Sequence, residues 1–347
     1  MNAFDTPEIF RVPLHQVYLL TCIFLSSSSI VKLDMVNRFL SSAIESPSQQ
    51  QLQEAQNYLV AVGALRINKP GELYLTPLGC HISKLPMDVR MAKLLIFSSI
   101  LRCVNPILTI CAVLSFQSPM MSPIDNREAA KEMQKKFKRC KSDHISYHIA
   151  YEAFLKAKAS GKAYQFCKEH FLSVSTMYMI GKLRKQFIEL LADIGFVSYN
   201  KRTNKMSDEL ANEQQFNMKV IQACLCAGLY PNVIKIQPPI KKYTKIAEGG
   251  TIEKSVKVRE LKFFTGERKR VFLHPSSFNF DESGYESVWL VYLKIMETSR
   301  VFVHDTTMVY PYPLLLFGSN NISIEHEKGY LIVRNVIPIL IVLIPTG

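Results

Sequence analysis

The chain has 347 residues, 48% of them hydrophobic and 20% charged, a globular balance that excludes a disordered tail and allows about two or three domains. Its 42 Lys and Arg residues against 29 Asp and Glu leave a net charge of +13, which suits a polyanionic partner, nucleic acid before an anionic membrane. Eight cysteines without a CxxC pair or a His/Cys zinc spacing, and no secretory signal, exclude a disulfide-built secreted domain and point to reduced thiols in a cytosolic or nuclear protein.

In chain order, Leu14, Val17 and Tyr18 open a helix that the Ser26 to Ser29 run breaks, and Gln50 to Val62 form a second helix stopped by Gly63. Ala64 to Ile67 and Glu72 to Leu75 then pair as a hairpin around the Pro70-Gly71 turn. Thr76 caps a short helix with Pro77 at its first position, where a missing N–H costs little. From Asp88 the period is helical, with Met91, Leu94, Leu95 and Leu101 on one stripe, and a more uniformly apolar helix runs from Ile107 to Phe116. Glu128 to Lys141 reads as one basic, solvated helix. The next helix is capped by Ser142 or Asp143; its His144 and His148 lack the glutamate and third ligand that a zinc site needs. Leu183, Phe187, Leu190, Leu191 and Ile194 form an apolar face that places Arg184 away from the core. Residues 201–212 are polar and basic, the best linker, and Phe216 to Leu229 is a further helix. After Val233 the period drops towards two, at Val256 and Val258, Val271 to Leu273, Ser287 to Ile295 and Val301 to Tyr310, which suggests a small barrel. The apolar tail Val336 to Pro345 is too short to span a bilayer and is interrupted by Pro338, so no membrane partner is expected.

Several strings carry a resemblance: TPEIFRVPL at Thr6 to Leu14, LTPLG at Leu75 to Gly79 with Leu85-Pro86, SFQSPMMSP at Ser115 to Pro123, CAGLYPNV at Cys226 to Val233, and HPSS at His274 to Ser277. Together they resemble the helicase-associated region of DEAH/RHA-type RNA helicases, with the subgroup that holds a ribosome-associated translation-initiation helicase nearest. The resemblance implies a multidomain α+β chain: 1–13 as the tail of a second RecA-like lobe, 14–86 a winged helix that braces the motor, 87–200 a helical ratchet domain, 201–212 a linker, 213–335 an OB-fold with its leading helix, and 336–347 a divergent tail without the tryptophan expected there. It also implies RNA as partner, RecA-like motor domains of the same helicase beside it, and a ribosome or G-patch protein beyond them. ATP and Mg²⁺ belong to the parent helicase. Neither GxxxxGK(S/T) nor a DEAH tetrapeptide occurs in this sequence, so the phosphate cradle and Mg²⁺-holding carboxylate are missing from it.

Within that resemblance Thr176 and Arg184, with Lys185 beside it, match ratchet positions that contact RNA phosphates, although Ser175 stands where the family has an arginine. Lys241, Lys242, Lys245, Arg268, Lys269 and Arg270 supply the cationic groove that an OB-fold uses for single strands, and His274, Ser276 and Ser277 stand in the matched string. Phe263, Phe264 and Tyr243 are candidate stacking platforms. Two readings follow. The chain is the RNA-guiding module of an ATP-dependent RNA helicase, or it is a stand-alone RNA-binding adaptor without ATPase activity.

Overall fold

A computed structural model describes residues 14–26, 29–43, 46–203, 205–237, 243–245, 251–253, 260–318, 322–325, 330–333 and 341–342. The expected features at Lys241, Lys242, Val256 and Val258, and the side chains of Tyr243 and Lys245, lie outside these described residues.

The N-terminal unit is built from α1 (Leu14–Leu25), β1 (Ile30–Lys32), α2 (Leu33–Ser41), α3 (Gln49–Val62), β2 (Leu65–Lys69) and β3 (Glu72–Leu75). The strands form an antiparallel sheet in the order β1-β3-β2 over a core of Tyr18, Leu19, Val36, Leu52, Leu59 and Leu73. The α3 helix starts at a capping box in which Ser48 and Gln51 exchange side-chain and backbone bonds, and it ends at Gly63, whose φ of 86° suits a residue without Cβ. Thr76 caps α4 (Pro77–Ser83) by accepting from the Gly79 N–H at 3.0 Å. Strand β1 and helix α2 add to the expected helix–helix–hairpin pattern; Val31 and Val36 are their buried anchors.

The helical part comprises α5 (Val89–Ile100), α6 (Val104–Ser115), α7 (Arg127–Lys135), α8 (Asp143–Ala159), α9 (Ala163–Glu169), α10 (Val174–Asp193) and α11 (Met218–Leu229). Helix α6 is buried on most sides, as its uniform apolarity requires. The basic stretch expected as one helix from Glu128 to Lys141 ends at Lys135. Cys140 and Lys141 take φ values of 52° and 49°, a reversal that delivers Ser142 as the N-cap of α8. Its lysines are not simply solvated. Lys131 pairs with Asp281, Lys138 with Glu282 at 3.0 Å and Lys141 with Glu286 at 3.0 Å, so the stretch is matched to an acidic loop far along the chain. The polar 201–212 segment also differs from a free linker: β4 (Tyr199–Asn200) pairs with β5 (Lys205–Met206), Ala211 is buried, and Asn212 accepts from the Asn105 N–H at 2.7 Å.

The last large element is a closed barrel of β6 (Val233–Gln237), β9 (Lys262–Thr265), β10 (Arg270–Leu273), β11 (Trp289–Glu297) and β12 (Val301–Val309). Around the barrel the order is β6-β9-β10-β12-β11, closing on β6, with β10 and β12 parallel and the other pairs antiparallel. Numbered within the barrel this is 1-2-3-5-4-1, the OB topology. Ile234, Ile236, Phe263, Val271, Leu273, Leu290 and Val303 fill it. Outside the barrel, β7 (Tyr243–Lys245) pairs with β8 (Thr251–Glu253), α12 (Pro311–Phe317) follows β12, and β13 (Ile322–Glu325), β14 (Tyr330–Val333) and β15 (Ile341–Val342) form a separate sheet.

A buried polar joint fixes the barrel to the bundle. Asp143, at the start of α8, accepts from the Thr306 N–H, the Ser277 hydroxyl and the Phe278 N–H, each at 2.7 Å. Ser142 and His144 both meet the Thr307 hydroxyl at 2.6 Å, and the Gln222 amide donates to the Met308 carbonyl at 2.8 Å. Arg90 bonds Asp88 in a fork and donates to the Leu293 carbonyl at 2.6 Å. Among the described residues no helix is long and apolar enough to cross a membrane.

Candidate nucleic-acid interface

Strand β12 serves two surfaces. Its second half, Thr306 to Val309, is buried under the helical bundle, whereas in its first half Val303 enters the barrel and Phe302 and His304 point outward. Phe302 lies beside Phe272 of β10 in parallel register, and His304 lies opposite Lys294 of β11. The outward side chains therefore form a ladder. Arg270 and Arg300 hold their guanidinium carbons 5.0 and 4.9 Å from the Phe272 ring centre. Phe272 and Phe302 are 6.4 Å apart, Phe302 meets His274 edge-on at 5.8 Å, and His274 stacks on His304 at 4.0 Å. Lys294 and Ser276 border it, both exposed. Positive charge interleaved with aromatic planes is what sequence-tolerant binding of a single strand requires.

The geometry redistributes the residues singled out by sequence. Arg270, His274 and Ser276 belong to this ladder; Arg268 and Lys269 are exposed at the adjoining turn, where Lys269 pairs with Glu297 at 3.0 Å. Ser277 is buried, and its hydroxyl belongs to the Asp143 joint rather than to the surface. Phe263 is a barrel-core side chain, not a platform, because its strand position alternates inward; Phe264 is half-buried. The outward aromatic side chains that sequence reading missed are Phe272 and Phe302, with Arg300 and His304 beside them. Alternation along Val301 to Tyr310 carried the signal, since Phe302 and His304 share one face and Val303 the other.

On the ratchet, Thr176 is 1% exposed, with its hydroxyl donating to Ser173 at 2.9 Å and accepting from the Gln117 amide at 3.0 Å. Arg184 turns inward rather than away from the core. It donates to the Asn105 carbonyl at 2.8 Å, to the Asn105 side chain and to Thr109, and its guanidinium lies 5.2 Å from the Tyr151 ring centre. Burial lowers its pKa from the usual arginine value, opposed by Tyr151 and Glu152. His148 shares Thr109 at 3.3 Å, whereas His144 meets Thr307, so the two histidines serve different contacts. What α10 presents outward is a stripe of Ser175, Tyr178, Lys182 and Lys185 at helical spacing. Lys158 adds charge 4.8 Å from the Tyr178 ring centre.

Comparison with known proteins agrees with this architecture. The pattern of the helicase associated domain (HA2), ratchet-like, matches residues 88–147. That of the oligonucleotide/oligosaccharide-binding (OB)-fold matches residues 221–322. DHX57 of Mus musculus, named as an ATP-dependent RNA helicase, is 37% identical over 342 residues, covering 94% of this chain. The chain belongs to the DEAH-box RNA helicase family. The DExH-box ATP-dependent RNA helicase DExH1 of Arabidopsis thaliana is 35% identical over 328 residues, and the ATP-dependent DNA/RNA helicase DHX36 of Homo sapiens 33% over 331, each over 94% of this chain. The chain spans 24%, 29% and 30% of these three relatives, so it corresponds to the helicase-associated part of a DEAH-box protein.

Proposed function

We propose that this chain is the strand-guiding module of a DEAH-box RNA helicase, holding single-stranded RNA by its backbone while RecA-like motor lobes of the same helicase hydrolyse ATP with Mg²⁺. The observation that carries the reading is the outward ladder of Arg270, Phe272, Arg300 and Phe302 on a closed OB barrel. The α10 stripe with Lys182 and Lys185 extends the cationic surface onto the ratchet. We read the N-terminal three-helix, three-stranded unit as a winged helix that braces the motor. A ribosome or G-patch activator would be a further partner, reached through surfaces other than this ladder.

Contacts to phosphates and to base planes carry no base-edge information, so the module holds RNA without choosing a sequence. The test is binding of labelled single-stranded RNA of mixed sequence, followed by anisotropy at low salt. Phe302→Ala with Arg300→Ala is expected to weaken binding at least about tenfold, as the loss of one stacking platform and one phosphate contact implies. Affinity unchanged in the double variant would refute the assignment of this face.

A further inference from the structure

The stacked histidines at the end of the ladder have chemistry that the arginines beside them lack. His274 ends β10 and His304 lies on β12; their rings are 4.0 Å apart and inclined by 26°. The Ser276 N–H donates to His274 Nδ1 at 3.2 Å and the Ser276 hydroxyl meets the same atom at 2.7 Å. A nitrogen that accepts a backbone N–H carries no proton, so the remaining proton sits on Nε2 and the ring is neutral. A face-to-face imidazole pair tolerates at most one positive ring easily, and the groups around it oppose even that. Lys294 of β11 faces His304 across the ladder, with Arg270 and Arg300 further along it; Asp305 of β12 is the acid within reach, and its carboxylate already accepts from Tyr147 of α8 at 2.7 Å. Burial and the Lys294 charge lower both imidazoles, with His274 also lowering His304, while Asp305 raises them.

We infer that His274 and His304 form a proton-linked phosphate subsite: the pair is neutral when empty and takes up protons when an RNA backbone phosphate is laid across it. The inference rests on the RNA-guiding reading and deepens it. A phosphodiester brings a negative charge to the Nε2 edge, offsetting the repulsion from Lys294. Protonation of His274 Nδ1 gives up the bond from the Ser276 N–H, and the new N–H donates instead to the Ser276 hydroxyl, which is already at hydrogen-bond distance. Protons come from solvent and return to it on release. The RNA affinity of the module therefore depends on pH in the range where cells and compartments differ.

The experiment is calorimetric titration of the protein with single-stranded oligouridylate at pH 6.5, in two buffers of different ionisation enthalpy, which counts the protons taken up. NMR titration of the imidazole signals with and without RNA assigns them. Wild type should take up about one proton per bound strand, its affinity rising about tenfold per pH unit around pH 6.5, since each proton taken up on binding changes log affinity by one per unit of pH. His304→Gln and His274→Gln, each made separately so that a folding defect in one leaves the other informative, should lose that uptake. Binding to wild type without proton uptake would overturn the inference and leave the RNA reading standing, as would uptake that persists in both variants. No RNA binding at any pH or salt would remove both.

Discussion

The Arg184 guanidinium bridges α10 to the first turns of α6 through Asn105 and Thr109, with the Tyr151 ring beneath it. A half-buried cation with three internal acceptors is a structural clamp, and its removal leaves those acceptors without partners. Arg184→Ala should therefore cost about 2 to 3 kcal/mol in thermal or urea unfolding, whereas Lys185→Ala, one residue on and exposed, should stay within about 0.5 kcal/mol. Equal effects at the two positions would contradict the inward placement. Next to this clamp, burial and the Arg184 charge lower the His148 pKa from 6.5 to about 4. The folded state thus holds this ring neutral while the unfolded chain protonates it. Its contribution is present above pH 6.5 and is lost as the pH falls towards 4, with a slope of up to about 1.4 kcal/mol per pH unit. Removing the ring removes that slope, so the stability gap between wild type and His148→Gln should narrow across this window. A gap that stays constant with pH would show that His148 is not held neutral.

At the scale of elements, helix α11 approaches α5 at a glycine. A Cβ added at Gly228 would lie 2.3 Å from Leu94 Cγ and 3.1 Å from Leu94 Cα, so no side chain fits without separating the two helices. Gly228→Val should lose about 3 kcal/mol or more and lower the unfolding midpoint accordingly; a midpoint within experimental error of wild type would show that α11 can shift at no cost. This glycine falls within the CAGLYPNV string, whose recurrence was legible in sequence but whose reason appears only in the packing. Local features were generally readable: the Thr76 cap with Pro77, the Ser142 cap, the apolar character of α6, and the strands at Val271, Trp289 and Val301 follow from spacing and composition. Features made by distant partners were not. Strand β1 is three residues long and exists through pairing with β3. The lysines of the α7 region looked solvated because their acids, Asp281, Glu282 and Glu286, lie in a remote loop. Arg184 was assigned outward by its position on the helix, and α6 supplied polar acceptors on the side that periodicity alone marks as core.

The molecule as a whole depends on how the barrel is held against the bundle. Burial pushes the Asp143 carboxyl up to about 7, opposed by the Thr306, Ser277 and Phe278 donors that favour its charged form. Taken alone, a folded pKa above the unfolded value of 3.8 contributes stability below about pH 4 that is lost as the pH rises through about 7, opposite in sign to His148. Asp143→Ala leaves three buried donors without an acceptor, and a loss of about 3 kcal/mol or more is expected. Because Trp289, the single tryptophan, is buried on β11 with its ring in the bundle core, its fluorescence follows the seam between barrel and bundle while circular dichroism follows the helices. In Asp143→Ala the tryptophan transition should precede the helical one; coincident, unshifted transitions would mean that the joint does not carry the barrel. Several site residues were visible from sequence as charge, among them Arg268, Arg270 and His274. Which of them share one outward face depends on barrel closure, which pairs β10 directly with β12 although β11 lies between them in the chain.

The central claim is that the outward β10–β12 face holds the RNA backbone, and the salt dependence of binding tests it most directly. Each phosphate contact to a single strand contributes about 0.7 to the slope of log affinity against log salt. Single-stranded RNA should bind wild type with a steep negative slope, and Arg270→Ala with Arg300→Ala should reduce that slope by about 1.4 while weakening binding at every salt concentration. A double variant with the wild-type slope and affinity would contradict the account and place the RNA elsewhere on the molecule.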